Sequence, residues 1–414
     1  DKMKENQNKL NYIIYCVLAV TPLIIMPWSL DRSQKPKITF VYLMVLLGLP
    51  LLVKLYKEGH LKFQKSYIYL LILTVLIGIA TNMAENVGIA FYGNVYRESG
   101  YLSILAYFML FVYASISFEV DSKLMKLVAI SVLLVSIYGI LQYFDLDFIP
   151  RDMTRINWKK RAFSTMGNPN FFGAYLSLFV PVSFVYYLDS KKSLVLVYSM
   201  VLYVALLLSM TRSSWVGIFF TLIFIVIKKG LHSKEMTRLL ISLVVVSFVV
   251  NEISGGVVFG RSLSTLLDFS NLLSMEENFE SGGSGRIFIW KRVIELIKIK
   301  PFFGFGPEQL GDAFDLYFGQ EVLERHGRVL IYDMAHNEYL HMAVTTGLPS
   351  LFVYLGFLFH ILKHGLKKLD DPFVFAIFCA VISYLIQAFF NISVVSVAYI
   401  FWIFLGILVK KVLN

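Results

Sequence analysis

The sequence predicts an all-α polytopic membrane protein of about twelve membrane helices, a single membrane domain over residues 1–414 with one large extracytoplasmic loop. Three observations predict it. Hydrophobic residues make up 57% of the 414 and charged ones only 16%, against roughly 25% charge in an ordinary soluble domain, and mean hydropathy is +0.68. Apolar runs recur along the chain, many close to the ~20 residues that cross a hydrocarbon core of about 30 Å. One polar stretch, residues 254–335, interrupts them and is far longer than a turn between neighbouring helices.

The runs fall at 10–28, 38–53, 66–82, 101–117, 124–143, 169–188, 194–210, 213–227, 239–253, 336–362, 372–391 and 395–409. The first follows Lys2, Lys4 and Lys9 and lacks a small-residue cleavage site, which predicts an uncleaved first helix. The sixth opens on Asn168-Pro169, a cap residue followed by the residue best tolerated in a first turn. Lys and Arg accumulate in cytoplasmic loops. With the N-terminus inside, cytoplasmic segments hold 20 of the 38 Lys and Arg, among them Lys54, Lys57, Lys62, Lys228, Lys229, Lys363, Lys410 and Lys411; short external segments hold 10, and the 254–335 segment 8. Both termini are therefore expected in the cytoplasm and the long segment outside. Inside anchoring also explains the net charge of +10, so no nucleic-acid partner is needed.

Two external turns depart from this pattern. The 143–168 loop carries Arg151, Arg155, Lys159, Lys160 and Arg161. Attraction to anionic lipid headgroups, about 1 kcal/mol per basic residue near the surface, is one reason; a bound anion is the other. Arg161 is the strongest anion candidate, because it precedes Gly167-Asn168-Pro169-Asn170, where the free N–H groups of a helix start favour negative charge. The second is Thr211-Arg212-Ser213-Ser214-Trp215, a very short turn. Arg212 reads either as an interfacial anchor beside Trp215 or as a guanidinium fork suited to phosphate oxygens.

Within the long segment, Trp290, Val293, Ile294 and Ile297 fall at helical spacing opposite Lys291, Arg292, Glu295 and Lys298. That predicts an amphipathic helix near 287–299 lying on the membrane interface, ended by Pro301 and a Gly304-Phe305-Gly306-Pro307 turn. Arg286 stands at its start, beside a Ser281-Gly282-Gly283-Ser284-Gly285 hinge, as a second anion contact. The tenth run, 336–362, is 27 residues, about 40 Å as a helix at 1.5 Å per residue. Its first turn should project from the core and put His336 near water and headgroups, with a bend at Gly347 and Pro349. An ionisable side chain at such a mouth is a functional-site candidate. His341, five residues on, points to another face, and the segment is not the H-E-x-x-H of a zinc helix. Cys16 and Cys379 lie in separate apolar runs without paired spacing, there is no phosphate-binding Walker loop, and His60, His232, His360 and His364 read as structural.

Four stretches carry a resemblance: Gly167-Asn168-Pro169-Asn170-Phe171-Phe172-Gly173-Ala174-Tyr175-Leu176, Thr211-Arg212-Ser213-Ser214-Trp215, Gly285-Arg286-Ile287-Phe288-Ile289-Trp290, and His336-Asn337-Glu338-Tyr339-Leu340 through Gly347. In this order and topology the whole chain resembles the O-antigen ligase/polymerase superfamily. The resemblance implies a GT-C-type, metal-independent, inverting glycosyltransferase of the bacterial plasma membrane, with no cofactor. Such an enzyme moves a glycan from an undecaprenyl-diphosphate carrier to an acceptor hydroxyl on the outer face. It further implies His336 as general base, Arg212 and Arg286 as stabilisers of the leaving diphosphate, and Arg161, Asn168, Asn170 and Arg97, the last from Tyr96-Arg97-Glu98-Ser99-Gly100, as substrate-binding residues. The acceptor is left open among glycan, lipid, wall polymer and protein.

Two other readings compete. A transporter or flippase of lipid-linked glycans would want polar residues at mid-membrane, whereas polar and basic groups here crowd the external edge. A peptidoglycan glycosyltransferase of the shape-and-division type would want a catalytic carboxylate in the long loop, and Glu276, Glu277 and Glu280 offer no distinctive one.

Overall fold

The protein, seen in a computed structural model, is described over residues 2–26, 33–59, 61, 63–149, 160–264 and 285–413, and these are helical and loop throughout. Each predicted apolar run holds helix: α1 (Lys2–Val20), α2 (Gln34–Lys57), α3 (Lys65–Asn82), α5 (Tyr101–Ser117), α6 (Ser122–Tyr143), α7 (Pro169–Ser190), α8 (Ser193–Leu208), α9 (Arg212–Lys229), α10 (Lys234–Ile253), the pair α14 (Glu338–Thr346) and α15 (Leu348–Gly365), α16 (Pro372–Ala388) and α17 (Val395–Leu413). Between them stand the short α4 (Val87–Tyr92), a helical segment α11 (residues 257–264), α12 (Arg286–Ile299) and α13 (Leu310–His326). Six helices, α2, α3, α6, α7, α10 and α17, are long and apolar enough to cross a membrane by themselves. Lys62, His60, Arg151, Arg155, Lys159, Glu276, Glu277, Glu280 and the hinge residues 281–284 lie outside the described residues.

Burial sorts the helices into centre and rim. α17 and α7 are mostly enclosed, whereas α2 and α10 bury little more than a quarter of their apolar windows. The exposed residues on the rim are apolar: Leu46, Leu47, Leu71, Val75, Val244 and Phe248 are all more than half exposed. A belt of this kind on many helices exceeds the apolar patches of water-soluble surfaces and suits lipid. At the centre, small residues let backbones approach, as in membrane bundles generally. A Cβ on Gly406 of α17 would meet the Phe111 carbonyl of α5 at 2.5 Å, and one on Gly217 of α9 the Ser383 carbonyl of α16 at 2.6 Å. Trp402 packs among Phe108, Phe357 and Tyr354.

The two ends of the bundle differ in chemistry. One gathers lysines: Lys228 pairs with Asp370 at 2.7 Å, Lys368 Nζ donates to the Lys411 carbonyl, and Lys410 Nζ to that of Ile116. The other carries the starts of α7 and α9, the end of α16, and a second hydrophobic core built by α12, α13 and α14 around Phe288, Val293, Leu296, Phe314 and Val344.

The amphipathic helix exists, and its Phe288, Val293, Leu296 and Ile297 pack on α13 and α14. One expectation is corrected here. The expected single helix over 336–362 is broken: Gly347 (φ 89) ends α14, and α15 restarts at Leu348-Pro349. A break leaves backbone groups without helical partners, and the 301–306 turn supplies them. Phe305 N donates to the Val344 carbonyl, Gly306 N to that of Thr345, and Leu348 N to that of Pro301, at 2.8–2.9 Å. The loop domain is thereby clamped onto the bundle at the break.

Candidate functional site

At the α7 start, the Asn168 side chain caps the helix by accepting from Asn170 N at 2.8 Å. Arg161 folds back over this start: its Nη2 donates to Asn170 Oδ1 (3.2 Å), its Nε to the Ser209 carbonyl (3.1 Å), and Nη2 again to the Met210 carbonyl (3.4 Å). Thr211 Oγ1 donates to the Pro169 carbonyl at 2.8 Å. The α8–α9 turn is thus pinned to α7, with Met210 in the left-handed region (φ 53) that an L side chain adopts at a cost. This fixes Arg212 as the first residue of α9, where its Nη1 donates to Ser264 Oγ on α11 at 3.3 Å. Trp215 does not share its environment, since its Nε1 donates to the Leu206 carbonyl within the bundle.

The His336 side of the site is built from the loop domain. His336 precedes the helix instead of opening it. Asn337 is the cap, its Oδ1 accepting from Leu340 N at 3.0 Å, and the chain turns at His336 itself, which has φ 49. The segment before it is gripped from two sides. Trp290 Nε1, one turn into α12, donates to the Ala335 carbonyl at 2.9 Å. Arg97 Nη1 donates to the Asp333 carbonyl and pairs with Asp333 Oδ2, both at 3.2 Å, while Nη2 meets Glu308 Oε2 at 3.2 Å. The Arg97 and Glu308 side chains are only 9% and 4% exposed. Arg97 therefore holds two carboxylates and anchors the histidine segment. Sequence spacing gives no signal for Glu308 or Asp333, which stand 211 and 236 residues away along the chain.

His336 is half-buried. Burial first, then the charges of Arg286 and Arg97, bring its pKa down to about 4, with Asp333 opposing. It is neutral at pH 7 and able to accept a proton. Arg286, first residue of α12 after Gly285 (φ 77), is thus near enough for its charge to act on His336.

The arginines on the α7–α9 side form a second charged group. Burial and the Arg261 charge bring Arg161 down to about 10, and burial and the Arg212 charge lower Arg261. The Arg261 charge is thus near enough to act on Arg161, and that of Arg212 on Arg261, and Arg261 is a residue that sequence reasoning missed. The two groups meet across the end of α16: Asn391 Nδ2 donates to the Asn170 carbonyl at 3.3 Å, and the Trp290 ring lies edge-on to Phe389 and tilted to Phe390, with centroids 5.7 and 6.3 Å away. Among the described residues, no three His, Cys, Asp or Glu side chains are grouped so as to hold a metal ion.

The arrangement pairs a neutral base with four guanidinium groups at one end of a bundle, a chemistry suited to an anionic leaving group and a nucleophile that must lose a proton. Residues 194–355 match the model of the O-antigen ligase family. No curated protein matches the chain. The matched segment runs from α8 into α15 and holds Arg212, Arg261, Arg286 and His336, whereas Arg97, Arg161, Asn168 and Asn170 precede it.

Proposed function

From the premise that the chain belongs to the O-antigen ligase/polymerase superfamily, which its match over residues 194–355 supports, we propose that it is an inverting, metal-independent glycosyltransferase. In this reading it spans the bacterial plasma membrane twelve times, with a GT-C-type architecture and both termini in the cytoplasm. The α12–α13 domain and the site face outward, and the donor is a glycan on undecaprenyl diphosphate. The acceptor hydroxyl attacks the anomeric carbon as His336 removes its proton; the bond from that carbon to the diphosphate oxygen breaks, and its electron pair leaves with the carrier diphosphate. Charge grows on that oxygen in the transition state. Arg212 and Arg286 oppose it, stabilising the transition state more than the ground state. Arg161, with Asn168 and Asn170, shapes the donor side; Arg97 acts through Asp333 by holding the His336 segment.

The observation that carries the reading is His336 itself: neutral at pH 7, held at a left-handed corner between Trp290 and Arg97, and under the charge of Arg286. The test is reconstitution with an undecaprenyl-diphosphate glycan and a panel of lipid, glycan and peptide acceptors, comparing the wild type with His336→Ala, Arg212→Ala and Arg286→Ala. Transfer that persists in EDTA and collapses in all three variants supports the mechanism. Loss in EDTA restored by Mg²⁺ contradicts its metal-independent part, and the preferred acceptor separates ligase from polymerase.

A further inference from the structure

Glu338 is the first residue of α14, two places after His336. The 18 residues of α15 reach about 27 Å by themselves, close to the ~30 Å of a hydrocarbon core, so α14 stands beyond the span at the loop-domain end. Glu338 as a whole is half-buried, but its carboxyl group is turned inward: Oε1 accepts from the Tyr354 hydroxyl of α15 at 3.4 Å, and Oε2 is enclosed without a hydrogen-bond partner among the described residues. Its surroundings offer hydroxyls and no cation. Tyr354 on α15, Tyr384 on α16 and Tyr339 on α14 itself lie close enough for a Glu338 charge to act on them. The cations of this end, Arg286 and Arg97, act on His336 and leave Glu338 alone, and His341, one turn on, is under Arg97 and His336. A helix start favours negative charge, yet an enclosed ion without a partner forfeits its hydration, which is the larger effect. Burial accordingly brings the Glu338 pKa up to about 7, with the Tyr354 hydroxyl opposing. The first turn of α14 rests on two such contacts, the second being Tyr339 Oη, which donates to the Leu385 carbonyl of α16 at 2.9 Å. Only the Asn337 cap separates that turn from His336, so a movement of the turn carries the histidine with it.

We propose that Glu338 is a positioning residue that works as a neutral carboxylic acid: seated against Tyr354 it keeps the first turn of α14, and with it His336, in place, and its ionisation unseats that turn. The inference rests on His336 being the base of the proposed transfer, and it gives the site a second proton equilibrium. When Glu338 gives its proton to solvent, the carboxylate needs hydration that the tyrosines do not supply. It reaches water only by turning out along the half-buried flank of the residue, which breaks the contact with Tyr354. Transfer therefore falls as pH rises through the Glu338 midpoint, an alkaline limb opposite to the acid limb set by His336.

The experiment uses the whole protein in nanodiscs, from mildly acidic to mildly alkaline pH, with three readouts: transfer from an undecaprenyl-diphosphate glycan, the infrared band of protonated carboxyl groups, and amide exchange of the 338–346 peptide corrected for the intrinsic rise of exchange with pH. Wild-type transfer should fall about tenfold per pH unit above the midpoint, as the carboxyl band disappears and the peptide exchanges faster. Glu338→Gln keeps the neutral shape, so it should transfer within about threefold of the wild type on the acid side, lack the band and lose the alkaline limb, whereas Glu338→Ala should transfer about tenfold less or worse at every pH. Tyr354→Phe removes a donor that favours the charged form, and should move the limb to higher pH. Size-exclusion profile and melting temperature report folding, and an unfolded Glu338→Ala leaves the decision to the other two variants. An alkaline limb unchanged in Glu338→Gln, transfer by Glu338→Gln as poor as that by a folded Glu338→Ala, or a limb moved to lower pH in Tyr354→Phe overturns the proposal. If the wild type transfers no glycan at any pH, the glycosyltransferase reading fails by itself. The seat of Glu338 is then decided by the other readouts: a Glu338-dependent band that titrates together with exchange of 338–346 supports it, and either one without the other contradicts it.

Discussion

Replacing Arg286 by glutamine should move the titration of His336 upward. Its fall from 6.5 to about 4 corresponds to about 3 kcal/mol favouring the neutral ring, at 1.36 kcal/mol per unit. Burial is the largest cause and survives the substitution; Arg286 is the next, so its removal returns part of the shift. Asp333→Asn should act in the opposite sense, because the Asp333 carboxylate holds the pKa up. Imidazole ¹⁵N shifts in nanodiscs, assigned by difference from His336→Gln, give the midpoint of each protein. Opposite displacements are expected, upward in Arg286→Gln and downward in Asp333→Asn. An unmoved midpoint in Arg286→Gln, or displacement of both variants in one direction, refutes the electrostatic account of the base. The same logic reaches catalysis: a bound diphosphate offsets the Arg286 charge, so the acid limb of kcat should lie at higher pH than that of kcat/KM, which reports free enzyme. Coincident limbs would count against donor-induced tuning.

Three further outcomes are expected. Because the folded pKa of His336 lies below its unfolded value, the unfolded chain binds more protons below pH 6.5 and stability falls as pH drops from there toward 4; at pH 5 the loss is about 2 kcal/mol, and His336→Gln should flatten that part of a melting-temperature profile. Arg97→Ala leaves the buried Glu308 carboxylate without its cation and should cost about 3–5 kcal/mol, while Arg97→Met with Glu308→Leu recovers much of it; a double variant no more stable than the single one, in denaturant unfolding, argues against a buried ion pair. Gly347→Ala forces a side chain onto the Phe302 carbonyl at a backbone angle that favours glycine and should cost about 2–4 kcal/mol. A wild-type melting temperature there means the α14–α15 break is not as described.

The helices were legible because their apolar runs are local in sequence and burial in a bundle enforces them. The Asn168-Pro169 opening reads correctly for the same reason, since a cap needs only its neighbours. Asn337 carries the cap signal without the proline, and it places His336 outside the helix. α13 carries its own helical stripe, Leu310, Ala313, Phe314, Phe318 and Val322, a local signal for a second helix in the long segment. Arg97 was picked out as a substrate ligand, but its two carboxylate partners come from distant segments that only the folded chain brings together. Arg261 has no distinguishing local signal; its place arises from α11, whose Ser264 meets Arg212 at the α8–α9 turn. Residue types thus announced candidate chemistry, while their grouping came from tertiary geometry.

The central claim is that His336 takes the acceptor's proton. Single-turnover transfer by His336→Ala, measured beside undecaprenyl-diphosphate binding, tests it most directly. The account predicts a loss of about 10²–10⁴ in rate with donor affinity within a few-fold of wild type. Wild-type transfer in that variant, or a defect confined to donor binding, would contradict it.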